Sequence, residues 1–417
     1  MAEVIRKGYK QTKVGVIPED WDTPRIDTFL QRIRKKVDVE KEVEYQQIGI
    51  RSHAKGIFHK ESVTGEVLGN KSVFWIEEDC FIVNIVFAWE QAVAKTTINE
   101  KGMIASHRFP MYQPKDNKSD IDYILYFFKS KRGKHLLGLA SPGGAGRNKT
   151  LGQKEFAELK IPLLPLKEQQ KIAQILTTWD DAISKQEALI EAKEELKKGL
   201  MQKLLSGEVR FDGFDGEWEE VKLGEIALKM QSGGTPKATN KDFYTGEIPF
   251  VKVNDMTNSG KYLLDTKVHI TEDALDSSSA WIVPKNTLIY SMYASVGFVT
   301  INKVEVSTSQ AMINIIPNLE RVDLEYLYYC LLEFKKYIYR FVETGTQGNL
   351  NAQIVKGLPI RLPSIREQQN IAEVLTLADK EIDLLKNELE ALKEQKRGLM
   401  QRLLSGEVRT YKTKGEE

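Results

Sequence analysis

Two stretches of the chain decide its fold, because each is a diverged copy of the other. Residues 168–210 read EQQKIAQILTTWDDAISKQEALIEAKEELKKGLMQKLLSGEVR, and residues 367–409 read EQQNIAEVLTLADKEIDLLKNELEALKEQKRGLMQRLLSGEVR. The copies align without a gap at an offset of 199 (367 − 168), and more than half of their positions are identical. Such a repeat indicates a duplicated architecture, in which two globular domains are each followed by a similar segment.

Each copy is predicted to form one long α-helix, because its apolar residues recur three or four positions apart. Gly207 and Gly406 are expected to end the helices in the left-handed conformation. Gly199 and Gly398 lie inside the helices, where glycine is unfavourable. Their presence in both copies predicts that another backbone approaches closely at these points.

The narrow apolar seam of each helix predicts that the two helices pack against each other in an antiparallel coiled coil. The alternative is that each helix packs on its own domain. The expected fold class is α/β (α+β), with two globular domains separated by the two long helices and related by a pseudo-two-fold axis. The predicted boundaries are 1–160 (first domain), 161–210 (first helical segment), 211–359 (second domain), 360–409 (second helical segment) and 410–417 (polar tail).

Composition narrows the class of protein. The 417 residues are 41% hydrophobic and 29% charged, which is typical of globular chains. Cys80 and Cys330 are too few for a disulfide framework or a four-thiolate zinc site, and no apolar run reaches the ~20 residues of a membrane helix. A cytoplasmic location is therefore expected. The net charge of +1 is unevenly distributed, since residues 1–167 carry 28 basic and 21 acidic side chains, whereas residues 211–366 carry 16 and 19. The first domain is thus the more favourable for a polyanion.

The two repeated segments, together with the strands predicted before them, resemble a known family. A proline-containing strand, then EQQ, then a charged helix ending in GLMQ and LLSGEVR, is similar to the specificity subunit of Type I restriction-modification systems. The resemblance spans nearly the whole chain and includes Gly233-Gly234-Thr235-Pro236 in the second domain.

This resemblance implies a non-catalytic reader of double-stranded DNA. Each globular domain would be a target-recognition domain for one half of a bipartite, asymmetric sequence, and the helices would set the spacing. Two methyltransferase subunits would dock on the chain, and restriction subunits that translocate and cleave DNA would join them. The chain itself would hold no cofactor or metal, because S-adenosylmethionine, ATP and Mg²⁺ are expected on the partners. The alternatives are the reader of a Type II-like modification system and a coiled-coil interaction protein without DNA binding.

Candidate DNA contacts come from loops that are rich in cations, amides and glycine. Arginine and lysine can contact guanine and phosphate, and asparagine and glutamine can pair with adenine. A glycine-rich loop at 142–150 resembles a phosphate-binding loop, but Asn148 replaces the required glycine and a predicted helix, 123–139, precedes it instead of a strand. A solvated loop is the alternative for each segment. The candidates are Arg51, Ser52, His53, Lys55, Lys60, Arg147, Asn148 and Lys149 in the first domain, and Thr235, Lys237, Lys241, Tyr244, Gln347, Asn349 and Asn351 in the second.

The ends of both helices carry more leucine and methionine than a two-helix seam requires. The extra face is expected either to receive a methyltransferase subunit or to pack on a recognition domain. Sequence motifs for catalysis are not found, and His53 and His59 lack a nearby carboxylate or thiolate that would complete a zinc site. The candidate docking residues are Leu200, Met201, Leu204, Leu205, Leu399, Met400, Leu403 and Leu404.

Overall fold

The computed structural model describes residues 6–143, 149–293, 295–338 and 350–410. The chain divides into two units. Unit 1 comprises residues 1–186 together with 388–417, and unit 2 comprises residues 187–387. Each unit therefore contains one globular domain, the first half of one repeated helix and the second half of the other.

The described part of unit 1 contains a five-stranded sheet of order β4-β7-β10-β5-β6, a four-stranded sheet of order β3-β11-β8-β9, and the hairpin β1-β2. The strands are β1 (Tyr9–Thr12), β2 (Gly15–Pro18), β3 (Leu30–Ile33), β4 (Lys35–Lys36), β5 (Glu44–Ile50), β6 (Ile57–Thr64), β7 (Val73–Trp75), β8 (Phe81–Val83), β9 (Val93–Lys95), β10 (Ile104–Ser106) and β11 (Met111–Pro114). The helices are α1 (Gly65–Leu68), α2 (Ile121–Lys129), α3 (Lys131–Leu139), α4 (Gln153–Glu158) and the long α5 (Leu166–Ser206), whose second half belongs to unit 2.

The described part of unit 2 contains a five-stranded sheet of order β13-β20-β17-β18-β15, a three-stranded sheet of order β16-β14-β19, and the pair β12-β21. The strands are β12 (Glu219–Lys222), β13 (Ala227–Ser232), β14 (Ile248–Val251), β15 (Tyr262–Leu263), β16 (His269–Ile270), β17 (Leu288–Ser291), β18 (Val299–Asn302), β19 (Ser307–Thr308), β20 (Met312–Pro317) and β21 (Pro359–Leu362). The helices are α6 (Val253–Ser259), α7 (Glu272–Asp276), α8 (Leu324–Phe334), α9 (Ala352–Lys356) and the long α10 (Ile365–Leu404), whose second half belongs to unit 1.

The prediction of two long helices is confirmed, since α5 has 41 residues and α10 has 40. Gly207 and Gly406 end them with φ of +74° and +76°, the left-handed geometry that was predicted. The prediction for Gly199 and Gly398 is wrong. An added Cβ at either glycine would meet no described atom within 4 Å outside its own helix, so no neighbouring backbone approaches these positions.

A second correction concerns residues 123–139, which were predicted to continue as one helix. The structure has two helices, α2 and α3, separated at Ser130. Ser130 takes an extended conformation, with φ −73° and ψ 163°, and its hydroxyl accepts a hydrogen bond from the Gly133 amide at 3.0 Å. A serine that caps a helix offers the backbone an alternative to helix continuation, which explains the break.

Within each unit the two helices run antiparallel, as predicted, and they also pack on the globular domain. In unit 1 the start of α5 (Ile172, Leu176) and the end of α10 (Leu403, Leu404) join one buried cluster with Trp21. In unit 2 the end of α5 and the start of α10 join the corresponding cluster, which contains Met201, Leu204, Ile371, Leu375 and Tyr326. Helix pairing is therefore confirmed, and packing of a helix on its own domain, the alternative, holds for the first half of each helix.

The repeated motif forms the same ionic clamp in both units. In unit 1 the Arg409 guanidinium donates to both Glu168 oxygens, at 2.9 and 3.1 Å, and to Asp20. In unit 2 Arg210 donates to the Glu367 carboxylate at 2.9 and 2.8 Å. Glu168 and Glu367 are 0% and 1% exposed, so each clamp neutralises a buried carboxylate. The glutamate of EQQ in one copy is thus bound by the terminal arginine of SGEVR in the other copy.

The first glutamine of EQQ ties the start of each long helix to the preceding domain. In unit 1 Gln169 accepts from the Asp120 amide at 2.9 Å and donates to the Leu164 carbonyl at 2.7 Å. In unit 2 Gln368 accepts from the Asp323 amide at 2.9 Å and donates to the Pro363 carbonyl at 2.9 Å. These equivalent contacts extend the duplication from the sequence to the packing of each unit.

An ion pair between α5 and α10 also occurs in equivalent form in both units. In unit 1 Lys396 of α10 contacts Asp180 of α5, and Tyr126 of α2 donates to the same carboxylate at 2.7 Å. Burial favours the neutral form of Asp180, but the hydrogen bonds from Lys396 and Tyr126 prevail and lower the pKa of this carboxyl group. In unit 2 Lys197 contacts Asp379 in the same way.

Substituting Asp180 by asparagine is expected to destabilise the protein at neutral pH, since Lys396 would keep a charge that is only 16% exposed. Because the pKa of Asp180 is lowered in the folded state from the usual 3.8, the stabilisation is present above about pH 4 and is lost as the pH falls further. Thermal melting between pH 7 and pH 3 should therefore show the difference between wild type and D180N narrowing with acid. The exposed neighbour Asp181 provides the control, D181N. A constant difference across this range would contradict the prediction.

Candidate nucleic-acid interface

In unit 1 the first group of candidate residues lies on the hairpin of β5 and β6. Residues 51–55 belong to the turn, next to the pair Ile50–Ile57, and Lys60 lies in β6. Arg51, His53, Lys55 and Lys60 are exposed. The Arg51 guanidinium lies over the Phe58 ring, 4.9 Å from its centroid, and donates to the Ile57 carbonyl at 3.2 Å. The hairpin thus presents cations to solvent, and one of them is held in place by an aromatic ring.

Ser52 faces a different direction from these cations. Its hydroxyl donates to the Glu90 carboxylate at 2.9 Å, and the side chain is half-buried. Glu90 belongs to a 3-10 turn, Ala88–Glu90, that the sequence analysis did not single out. The DNA-contact prediction for Ser52 stays a prediction, but its hydroxyl proton already has an acceptor within the protein.

The structure brings Lys149 to the same turn. Its ammonium lies 5.7 Å from the centroid of the Trp89 ring, next to Glu90 in the chain. Lys149 and Ser52, nearly a hundred residues apart in sequence, therefore both contact one short turn. Arg147 and Asn148 lie outside the described residues.

His59 has a partner that was missed because it is 41 residues away. Its Nε2 lies 3.0 Å from the Glu100 carboxylate, which also accepts from Thr97. Burial favours the neutral form of Glu100, but the hydrogen bonds from His59 and Thr97 lower the pKa of this carboxyl group. Across the described ranges, no three His, Cys, Asp or Glu side chains come together as metal ligands would.

In unit 2 four candidates form one surface group. Thr235, Lys237 and Lys241 are exposed. The Tyr244 hydroxyl donates to the Pro236 carbonyl at 2.7 Å, and this hydrogen bond joins residues 235–237 to residues 241–244. Lys252, which the sequence analysis missed, adds a cation over the Tyr244 ring at 5.8 Å.

The amide candidates of unit 2 do not join this group in the described residues. Gln347 and Asn349 lie outside them. Asn351 is exposed and caps α9, since its side-chain oxygen accepts from the Ile354 amide at 2.8 Å. Base reading by Asn351 stays a prediction, although one side of its amide already has a structural role.

The predicted docking residues are packed on the globular domains. The structure thus supports the packing alternative for these side chains, and those that are buried expose too little apolar surface to receive a methyltransferase subunit. Leu200 and Leu205 are partly buried against the cluster that holds Met201 and Leu204, and Leu399 and Met400 are partly buried against the cluster that holds Leu403 and Leu404.

No helix in the described ranges combines the length and the apolar content that crossing a membrane requires. Each unit by itself presents a group of cations, hydroxyls and aromatic rings. This chemistry suits contact with phosphates and base edges.

Known proteins that are similar in sequence to this chain include specificity subunits of Type I restriction enzymes. The chain is 27% identical over 418 residues to the Type I restriction enzyme MjaVIII specificity subunit of Methanocaldococcus jannaschii, with 94% of each chain covered. It is 26% identical over 279 residues to the EcoR124I/EcoR124II specificity subunit of Escherichia coli, covering 63% of this chain and 64% of that one.

Solved structures share the fold. The HsdS subunit from Thermoanaerobacter tengcongensis superposes with a TM-score of 0.54 at 17% identity, covering 94% of this chain and 98% of that one. The S subunit from M. genitalium gives a TM-score of 0.57 at 17% identity, covering 92% and 96%. The family described as Type I restriction modification DNA specificity domain matches residues 18–194 and again residues 215–394. The two matches together cover most of the chain, including the larger part of each long helix. The chain therefore belongs to the family of Type I restriction modification DNA specificity domains.

Proposed function

We propose that this chain is the DNA-recognition subunit of a Type I restriction-modification complex, in which each globular domain reads one half of a bipartite, asymmetric target. The observation that carries the proposal is the pair of equivalent clamps, Arg409–Glu168 and Arg210–Glu367. Within each unit the clamp joins the ends of the two repeated segments beside the globular domain. The two domains differ in sequence and would therefore offer different side chains to DNA.

The partners follow from this role. Two methyltransferase subunits would bind the chain, and restriction subunits would join for cleavage. The chain would be non-catalytic and would hold no cofactor, with S-adenosylmethionine, ATP and Mg²⁺ belonging to the partners. Relatives named specificity subunits of Type I restriction enzymes support this assignment.

Footprinting of the assembled complex on DNA tests the proposal. The expected result is two protected patches that flank unprotected base pairs, because two domains would contact separate half-sites. Uniform protection without sequence preference would contradict it and favour a coiled-coil interaction protein.

Binding is also expected to weaken steeply with salt, since phosphate contacts by lysine and arginine release counterions. Replacing the exposed Lys55 with alanine should reduce the slope of log affinity against log salt by about one unit if Lys55 contacts a phosphate. The measurement is a titration from 50 to 200 mM salt on one duplex, with K41A, another exposed lysine of unit 1, as the control. An unchanged slope in K55A would remove Lys55 from the interface.

A further inference from the structure

The turn that carries Arg51, His53 and Lys55 has an unfavourable backbone. His53 and Ala54 have φ of +59° and +54°, and Gly56 has φ of +81°. Two successive residues with a Cβ rarely adopt left-handed conformations, because the Cβ crowds the following carbonyl oxygen. Such a turn persists only where contacts outside it compensate, and strain of this kind is concentrated at functional sites.

Hydrogen bonds to Glu90 and Gln91 provide compensating contacts, and Ala54 also packs against the buried cluster of unit 1. The His53 amide donates to the Glu90 carbonyl at 2.6 Å, and the Ala54 amide donates to the Gln91 carbonyl at 2.8 Å. The Ser52 hydroxyl donates to the Glu90 carboxylate at 2.9 Å. Residues 51–56 are called the reading loop below. Glu90 and Gln91 thus fix three consecutive residues of this loop, Ser52, His53 and Ala54.

This supporting turn is itself anchored in the domain. Gln91 has φ of +60°, and its side-chain amide donates to the Phe128 carbonyl at the end of α2, at 2.9 Å. The loop therefore connects to the helical core of unit 1 through Gln91. A strained turn that is anchored in this way holds its backbone in one conformation before any ligand arrives.

Glu90 places a carboxylate beside a loop whose other charged residues, Arg51 and Lys55, are basic. A carboxylate on a surface that faces DNA repels phosphate, so it weakens binding unless it has another task. The Glu90 carboxylate accepts a hydrogen bond from Ser52, which points to a structural task directed at the loop.

We infer that Glu90 is the positioning residue of the first domain's reading loop. By accepting a hydrogen bond from the Ser52 hydroxyl, it fixes the directions in which Arg51, His53 and Lys55 leave the turn, and thereby determines which bases one half-site accepts. The inference rests on the proposed function and deepens it, because it assigns base selection in one half to the 51–56 loop and its support.

The test uses the full-length chain assembled with its methyltransferase subunits and a library of duplexes randomised in both half-sites. Base discrimination is the ratio of affinities for the preferred and the substituted base. E90A and S52A are each expected to lower discrimination in one half about tenfold, the usual effect of losing a hydrogen bond to a charged group. The double variant should lose no more than either single variant, because both remove the same bond.

Three further readouts separate positioning from general damage. E90Q keeps an acceptor oxygen for Ser52 and should retain discrimination within about threefold, as should E42A, which removes an exposed carboxylate of the same unit. Discrimination in the other half should be unchanged. If E90A does not fold, S52A carries the test, because it removes one hydroxyl group only.

The inference is overturned if folded E90A or S52A retains full discrimination, or if both halves lose it equally. A wild-type complex that binds the library without a two-part preference would instead refute the proposed function. The two failures are therefore distinguishable by the wild-type profile alone.

Discussion

Replacing Arg409 with alanine is expected to lower the free energy of unfolding by about 3 kcal/mol, because Glu168 would remain charged in a site with no solvent exposure. Arg409 also binds Asp20, and its guanidinium lies over the Trp21 ring, so both contacts would be lost as well. Chemical denaturation of the full-length chain, followed by circular dichroism, measures the change.

Arg402 provides the matched control. It lies in the last turn of α10, seven residues before Arg409 in the chain, and pairs with Glu407, but both side chains are 56% exposed. An exposed pair contributes about 0–1 kcal/mol, so R402A should be nearly neutral. Equal effects of R409A and R402A would show that the clamp is not a stabilising element.

The reciprocal variant, R210A, is expected to destabilise unit 2 by a similar amount, since Glu367 is 1% exposed. A double variant that replaces Glu168 and Arg409 with leucine and methionine should be less destabilised than the sum of the single changes, because no buried charge remains.

Exchanging residues 1–160 for the corresponding domain of a relative is expected to change the recognised bases in one half of the target completely and leave the other half unaltered. The reason is that each unit has its own buried core and its own candidate surface. Mapping of methylated bases in cells that carry the native or the exchanged chain measures the outcome.

Because Glu168, Arg409 and both long helices lie outside the exchanged residues, the Arg409–Glu168 pair of unit 1 is preserved. A change in both halves would contradict independent reading by the two domains. A loss of all methylation with a normally assembled complex would place the defect in DNA binding.

The long helices could be predicted from the sequence because their information is local. Apolar spacing and the glycines at 207 and 406 lie within the segments that they define. The break at Ser130 is also local, but a serine inside an apolar pattern has two possible roles, and only the backbone geometry distinguishes them.

The clamps and the supporting turn could not be predicted, because their members are distant in sequence. Glu168 and Arg409 are 241 residues apart, and Ser52 and Glu90 are 38 apart. A sequence also gives the conformational cost of Gly199 and Gly398 without showing what lies beside them, which is why a close approach was wrongly predicted. Exposed candidates such as Lys55 were identified by charge, whereas the residues that orient the loop carry no such signal.

The division of each repeated helix between two units has a consequence for biosynthesis. A chain emerges from the ribosome with its N-terminus first. Unit 2 has all of its parts once residue 387 has been made, but unit 1 waits for residues 388–410, including Arg409, to cover its apolar cluster and neutralise Glu168. The domain that is translated first is therefore completed last. A chain truncated before residue 403 would leave the apolar cluster of its first domain exposed to chaperones and proteases.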